Sequence, residues 1–93
     1  MSRHQSDSDR AIRECTFYLF DRATGEFVTA YHAVMSIFDW GSEERAHGFF
    51  DGRGRAAALS AARSLADLAT RMTGRKVGIA DRSAPSGQMF AVE

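Results

Sequence analysis

One proline, one lysine and one cysteine stand among the 93 residues, and no run of eighteen apolar residues occurs. Each shortage removes a class of explanation. The lone Cys15 has no partner for an internal disulfide, and neither a membrane-spanning stretch nor a signal-peptide pattern is present, which points to the cytoplasm without membrane association. Ligand spacings such as C-x-x-C or H-x-x-x-H are missing, so neither a metal nor a cofactor is expected from Cys15, His32, His47, Asp39, Glu43 and Glu44. Because Lys76 is the only lysine beside eleven arginines, the cationic surface is almost wholly guanidinium. That group suits bidentate contacts with oxyanions, although GC-rich coding would give the same count.

What is present suffices for one hydrophobic core and no more. A hydrophobic fraction of 44%, with seven Phe, two Tyr and one Trp, predicts a single globular domain over 15–93 behind a polar, flexible tail over 1–14. The formal net charge of zero hides an asymmetry. Residues 1–52 hold five arginines and nine carboxylates, a net of −4, while residues 53–93 hold seven basic and three acidic groups, a net of +4. Unless the fold interleaves the two halves, the molecule has an acidic and a basic side.

The pattern predicts an α+β fold, an antiparallel-rich sheet of three to five strands with one main amphipathic helix, in the order β-β-(β)-α-β-β. Thr16 to Asp21 is β-branched and aromatic, Arg22 to Gly25 forms a turn with Gly25 at positive φ, and Glu26 to Tyr31 resumes an extended course. The first strand is apolar on both faces and belongs at the centre of a sheet or under a second layer. Phe27, Ala30, Tyr31, Val34, Met35 and Phe38 fall at helical spacing, yet the residue types favour a pleated surface. A long strand, broken or bulged between His32 and Met35, is the preferred reading over a helix. Arg45 to Phe50 then returns as a third strand, or Glu43 and Glu44 open one helical turn.

Ala58, Ala61, Leu65, Leu68 and Met72 define a narrow apolar helix face flanked by Ala62 and Ala69, with Leu65 and Leu68 expected in the core. Gly74 is placed to close the helix at positive φ. A strand follows over Lys76 to Asp81, then a loop over 82–87 and a terminal strand over 88–92.

Two surfaces compete for function. Asp39, Glu43, Glu44 and Asp51 alternate with Trp40, Phe49 and Phe50, and carboxylates beside large aromatics can hold a basic partner by steering plus an apolar anchor. The preferred partner-binding residues are Asp39, Trp40, Glu43, Glu44 and Asp51; the plainer account places the aromatics in the core and the acids around a turn. The alternative is nucleic-acid or phosphate-anion binding through Arg53, Arg55, Arg63 and Arg71. Gly52-Arg53-Gly54-Arg55-Ala56-Ala57 superficially meets a phosphate-binding glycine pattern at a helix start, in a chain too short for a dinucleotide fold. A small enzyme built on Cys15 with His32 or His47 is a third reading, without a nucleophile signature to support it.

The layout from Thr16 to Val92, with its hairpin at Ala23-Thr24-Gly25, its alanine-rich helix around Ala57 to Ala69 and its closing Gly87-Gln88-Met89-Phe90, resembles that of small phage-borne anti-CRISPR proteins. Hairpin-helix-hairpin modules from bacteria are equally similar. The resemblance lies in layout and transfers no functional residue. It implies a non-enzymatic inhibitor acting on a larger protein or nucleoprotein complex.

Overall fold

Two strands with large apolar residues on alternate positions form the centre of the molecule, and everything else is arranged around them. The computed structural model describes residues 15–82 and 89–92. Strand β1 (Thr16–Asp21) lies antiparallel to β5 (Val77–Arg82), with Leu19 opposite Ile79. Around them run β2 (Phe27–His32), β3 (Ile37–Gly41), the short β4 (Phe49–Phe50) and β6 (Met89–Ala91), giving the order β3-β2-β1-β5-β6 with β4 also paired to β1. Helix α1 (Arg55–Thr73) packs mainly on β1 and β5. The fold is therefore α+β, one helix on an antiparallel sheet, with six strands where at most five were expected. The expected tail over 1–14 and most of the 82–87 loop lie outside the described residues.

The extra strand comes from the stretch that looked ambiguous in sequence. Residues 27–41 form a hairpin, β2 and β3, turning through Ala33 to Ser36 within the region expected to break. The in–out alternation of β2 is interrupted: Val28 opposes Trp40 but Ala30 opposes Asp39, so Thr29 is an extra residue in a β-bulge. Val28 is fully buried and Tyr31 packs on the same core, three residues apart. The hairpin with this bulge stands in place of both the helix and the single long strand that the spacing of Phe27, Ala30, Tyr31, Val34, Met35 and Phe38 allowed.

The first hairpin forms as expected, with Gly25 at φ 80°. Only Phe20 and Phe27 pair between β1 and β2 before the strands part. The chain from His47 to Phe50 fills the gap: the His47 amide donates to the Val28 carbonyl at 2.9 Å, and Phe49 opposes Phe17 on β1. The third strand expected over Arg45 to Phe50 is thus cut to two residues. Glu43–Arg45 takes the single-turn alternative, a 3₁₀ turn.

The helix face differs from the expected one. Ala58, Ala62, Ala66 and Ala69 are buried, whereas Leu65 and Leu68 are only partly buried and Ala61 and Met72 are exposed. Phe17, Leu19 and Ile79 already supply bulk from the sheet, so the helix presents its smallest side chains to them and the leucines flank the contact. Gly74 ends the helix at φ 74°, its amide donating to the Thr70 carbonyl at 2.9 Å.

These placements predict that Ala69→Leu, at a fully buried position, destabilises by about 1–3 kcal/mol through overpacking, while Ser64→Leu on the exposed side stays within about 0.5 kcal/mol of wild type in chemical denaturation. Gly74→Ala costs roughly 1 kcal/mol because its Cβ is unfavourable at positive φ. Equal losses from Ala69→Leu and Ser64→Leu would mean that the helix packs by another face.

Candidate protein-interaction surface

Asp39 and Trp40 are neighbours on β3 and therefore point to opposite faces of the sheet. Trp40 is half-buried against the core, and the Arg75 guanidinium lies over its ring at 4.3 Å. Arg75 Nη1 also donates to Asp21 at 3.0 Å and to Glu26 at 2.9 Å, so one cation joins β1, the first hairpin turn, β3 and the segment after the helix. Asp21 is a buried residue that also accepts the Ala23 amide at 2.8 Å. The Ala23 amide, then those of Thr24 and the Arg75 guanidinium, lower its carboxyl below the ordinary range, against the opposing effect of burial. The cation over Trp40 belongs to the +4 half of the sequence and its carboxylates to the −4 half, so the fold interleaves the two at this point.

On the other face of β3, Asp39 is exposed and its Oδ2 lies 3.3 Å from His32 Nε2. The bulge at Thr29 puts His32 and Asp39 on that outer face while Tyr31 and Phe38 stack on the inner one, ring centroids 4.8 Å apart.

Glu43 and Glu44 occupy the exposed 3₁₀ turn that follows β3. Neither is ion-paired to any other described residue. From this turn the chain passes through Ala46 into one wall of an open groove of about 360 Å³, lined by His47, Phe49, Phe50 and Asp51 on one side and by Ala61 and Leu65 of α1 on the other. Phe50 is 52% exposed there, while Phe49 turns into the core, edge-on to His47 at 4.8 Å.

Asp51 is engaged internally. It accepts the Arg53 amide at 2.9 Å and the Arg53 Nη2 at 2.6 Å. The Arg53 guanidinium, aided by its amide, holds the Asp51 carboxyl down to about 2. In the glycine-rich segment before the helix, Arg53 thus binds the chain's own carboxylate with both its amide and its guanidinium. Arg55 pairs with Asp81 at 2.8 Å and stacks over Phe17 at 4.8 Å. Arg63 and Arg71 are exposed along α1.

The structure sets Glu43 and Glu44 on the turn that leads into the groove wall, Phe50 in that wall and Asp39 on the opposite face of β3 from Trp40, and locks Asp51 to Arg53. The roles of Arg75, of the His32 contact and of Leu65 in the groove have no short-range signature, since Arg75 meets its partners 49 and 54 residues away. Cys15 is buried in the core, and no group of three or more His, Cys, Asp or Glu able to hold a metal occurs among the described residues. No described helix is long and apolar enough to cross a membrane. Comparison with protein-family models, curated proteins and solved structures finds no match for the chain.

The Asp51–Arg53 contact predicts a carboxyl titration with a midpoint near 2 in place of the ordinary 3.8, readable by carbon NMR of the side chain. Because the folded-state value is depressed, this pair's contribution to stability is complete above 3.8 and is lost as pH falls through about 2. Arg53→Ala returns the Asp51 midpoint upward; an unmoved midpoint would assign the depression to another cause.

Proposed function

We propose that this protein is a non-enzymatic binding module that contacts a basic surface of a larger protein or nucleoprotein complex through the stretch from Asp39 to Asp51. The observation that carries this reading is a contrast in availability. Glu43 and Glu44 are exposed and unpaired to any described residue on the turn whose chain leads into a groove with a half-exposed phenylalanine, whereas two of the four arginines considered for nucleic acid, Arg53 and Arg55, are held by Asp51 and Asp81. Unpaired carboxylates steer a cationic partner from a distance, and an exposed aromatic beside a groove gives the contact an apolar anchor once docked. In an inhibitor of the anti-CRISPR kind, such carboxylates would compete with nucleic-acid phosphates for a basic channel.

The test is a titration of arginine- and lysine-rich protein domains, and of single- and double-stranded oligonucleotides, against wild type, E43K/E44K and R53A/R55A. Charge reversal at Glu43 and Glu44 is expected to lower the on-rate for basic proteins by about tenfold at low salt, with stability changed by less than about 0.5 kcal/mol. R53A/R55A is expected to leave that binding intact. Oligonucleotide binding by wild type that falls in R53A/R55A and loses its salt dependence would replace this reading with nucleic-acid binding.

A further inference from the structure

Among the described residues, strand β3 lies at the end of the sheet order, paired only to β2, and Asp39 is the one charged residue along it. Its five residues, Ile37 to Gly41, include no lysine and no proline, and the bulge of this hairpin sits on β2 instead. In an antiparallel pair alternate residues direct their N–H and C=O groups away from the partner strand, so β3 presents a row of such groups along its outer edge. Exposed apolar side chains continue along that edge into the hairpin turn: Ile37 is 43% exposed, Met35 69% and Val34 100%. The turn itself is unusual. Ala33 to Ser36 contains no glycine, asparagine, aspartate or proline, and Ser36 adopts φ 51°, a conformation that a serine seldom takes.

We infer that β3 accepts an extended segment of a partner protein as an additional antiparallel strand, with a lysine or arginine of that segment opposite Asp39. This rests on the reading of the protein as a binding module and specifies how the partner is held. Backbone hydrogen bonds along Ile37 to Gly41 would supply a shared, sequence-tolerant contact, and alternate side chains would supply selectivity. On the outer face the segment meets Ile37 and Asp39, which call for an apolar residue and a cation two positions apart. On the inner face it extends the layer made by Phe38 and Trp40, which calls for apolar or aromatic residues at the intervening positions.

Charge complementarity favours a cationic segment among the occupants. A second copy pairing β3 with β3 about a two-fold axis centred on Asp39 would set two Asp39 carboxylates directly opposite each other, a destabilising cross-strand pair. The hairpin from Phe27 to Gly41 holds no lysine or arginine, so it offers nothing to a phosphate backbone or an anionic lipid headgroup. A cationic extended segment pairs with the backbone edge and with the exposed Asp39 carboxylate, whose contact within the hairpin is His32 at 3.3 Å.

The experiment uses the full chain labelled with ¹⁵N and a nine-residue capped peptide of sequence Thr-Val-Lys-Val-Lys-Val-Lys-Val-Thr. Two control peptides carry glutamate in place of each lysine, or N-methyl groups on alternate amides. The expected result is a set of amide shifts concentrated on Ile37 to Gly41, with affinity reduced about tenfold or more by either control, since several hydrogen bonds or a charge pair are lost. Asp39→Lys, on an exposed position that leaves the core intact, is expected to invert the preference so that the glutamate peptide binds more tightly. Equal binding of the N-methylated peptide would overturn strand addition. Shifts confined to His47 to Asp51 and Leu65 would also overturn it while leaving the binding-module reading in place, because that outcome assigns the partner to the groove. Concentration-dependent broadening of β3 amides without peptide would replace the partner segment with a second copy. No binding of any peptide to wild type or to Asp39→Lys would remove β3 as an acceptor, whereas the binding-module reading is decided separately by E43K/E44K.

Discussion

The close approach of the alanine face of α1 to β1 and β5 is the contact on which the rest of the molecule depends. Phe17, Leu19 and Ile79 rise from the sheet, and Ala58, Ala62, Ala66 and Ala69 leave room for them. A helix with leucines at those positions would have to stand further off, and the density of the central layer would fall. Because the helix is committed to these two strands, it leaves the β2–β3 hairpin to find its own cover. That hairpin does so with aromatic stacking among Tyr31, Phe38 and Phe49 and with the arginine over Trp40. Among the described residues, nothing pairs with its outer edge.

Arginine does structural work here that aliphatic residues do in larger domains. Four guanidinium groups lie over aromatic rings: Arg22 on Phe20, Arg55 on Phe17, Arg75 on Trp40 and Arg82 on Tyr18. Tyr18 and Phe20 belong to the face of β1 turned away from the helix, where no second layer of strands is described. A flat cation over each ring shields apolar surface while keeping its own charge near water. The side chain of Arg22 comes so close to Gly78 that a Cβ at that position would lie 2.7 Å from its Nε. The arginine count of a chain with only one lysine is therefore no measure of affinity for nucleic acid, because several of these guanidinium groups are engaged with the chain's own rings and carboxylates.

What the sequence disclosed and what it concealed divide along physical lines. Gly25 and Gly74 were legible because a positive φ has a local chemical signature, and the ends of the hairpin and helix follow from them. The central position of β1 was legible from apolar residues on both its faces. The helix face was misjudged because Leu65 and Leu68 outweigh alanine in any hydrophobic pattern, while the packing rewards small size, a property of the opposing sheet. Strand β4 shrank because its length is set by the gap where β1 and β2 separate. Among candidate site residues, Glu43 and Glu44 were readable as an exposed turn, but the capture of Asp51 by Arg53 depends on loop geometry, and that of Trp40 by Arg75 on contacts across the whole chain.

The bulge at Thr29 acts on the strand as a frameshift acts on a reading frame. Upstream of it the even-numbered residue Val28 of β2 faces the core; downstream the odd-numbered Tyr31 does. Substitutions within this stretch alter one side chain at a time, whereas regular alternation along the full-length strand would turn Tyr31 outward and carry every later position on β2 to the wrong side; loss of Thr29 itself would leave Val28 and Tyr31 on the same face. The bulge is therefore what keeps the later part of this strand in frame with the core, and Thr29 is a position of the strand whose loss would leave that frame unchanged.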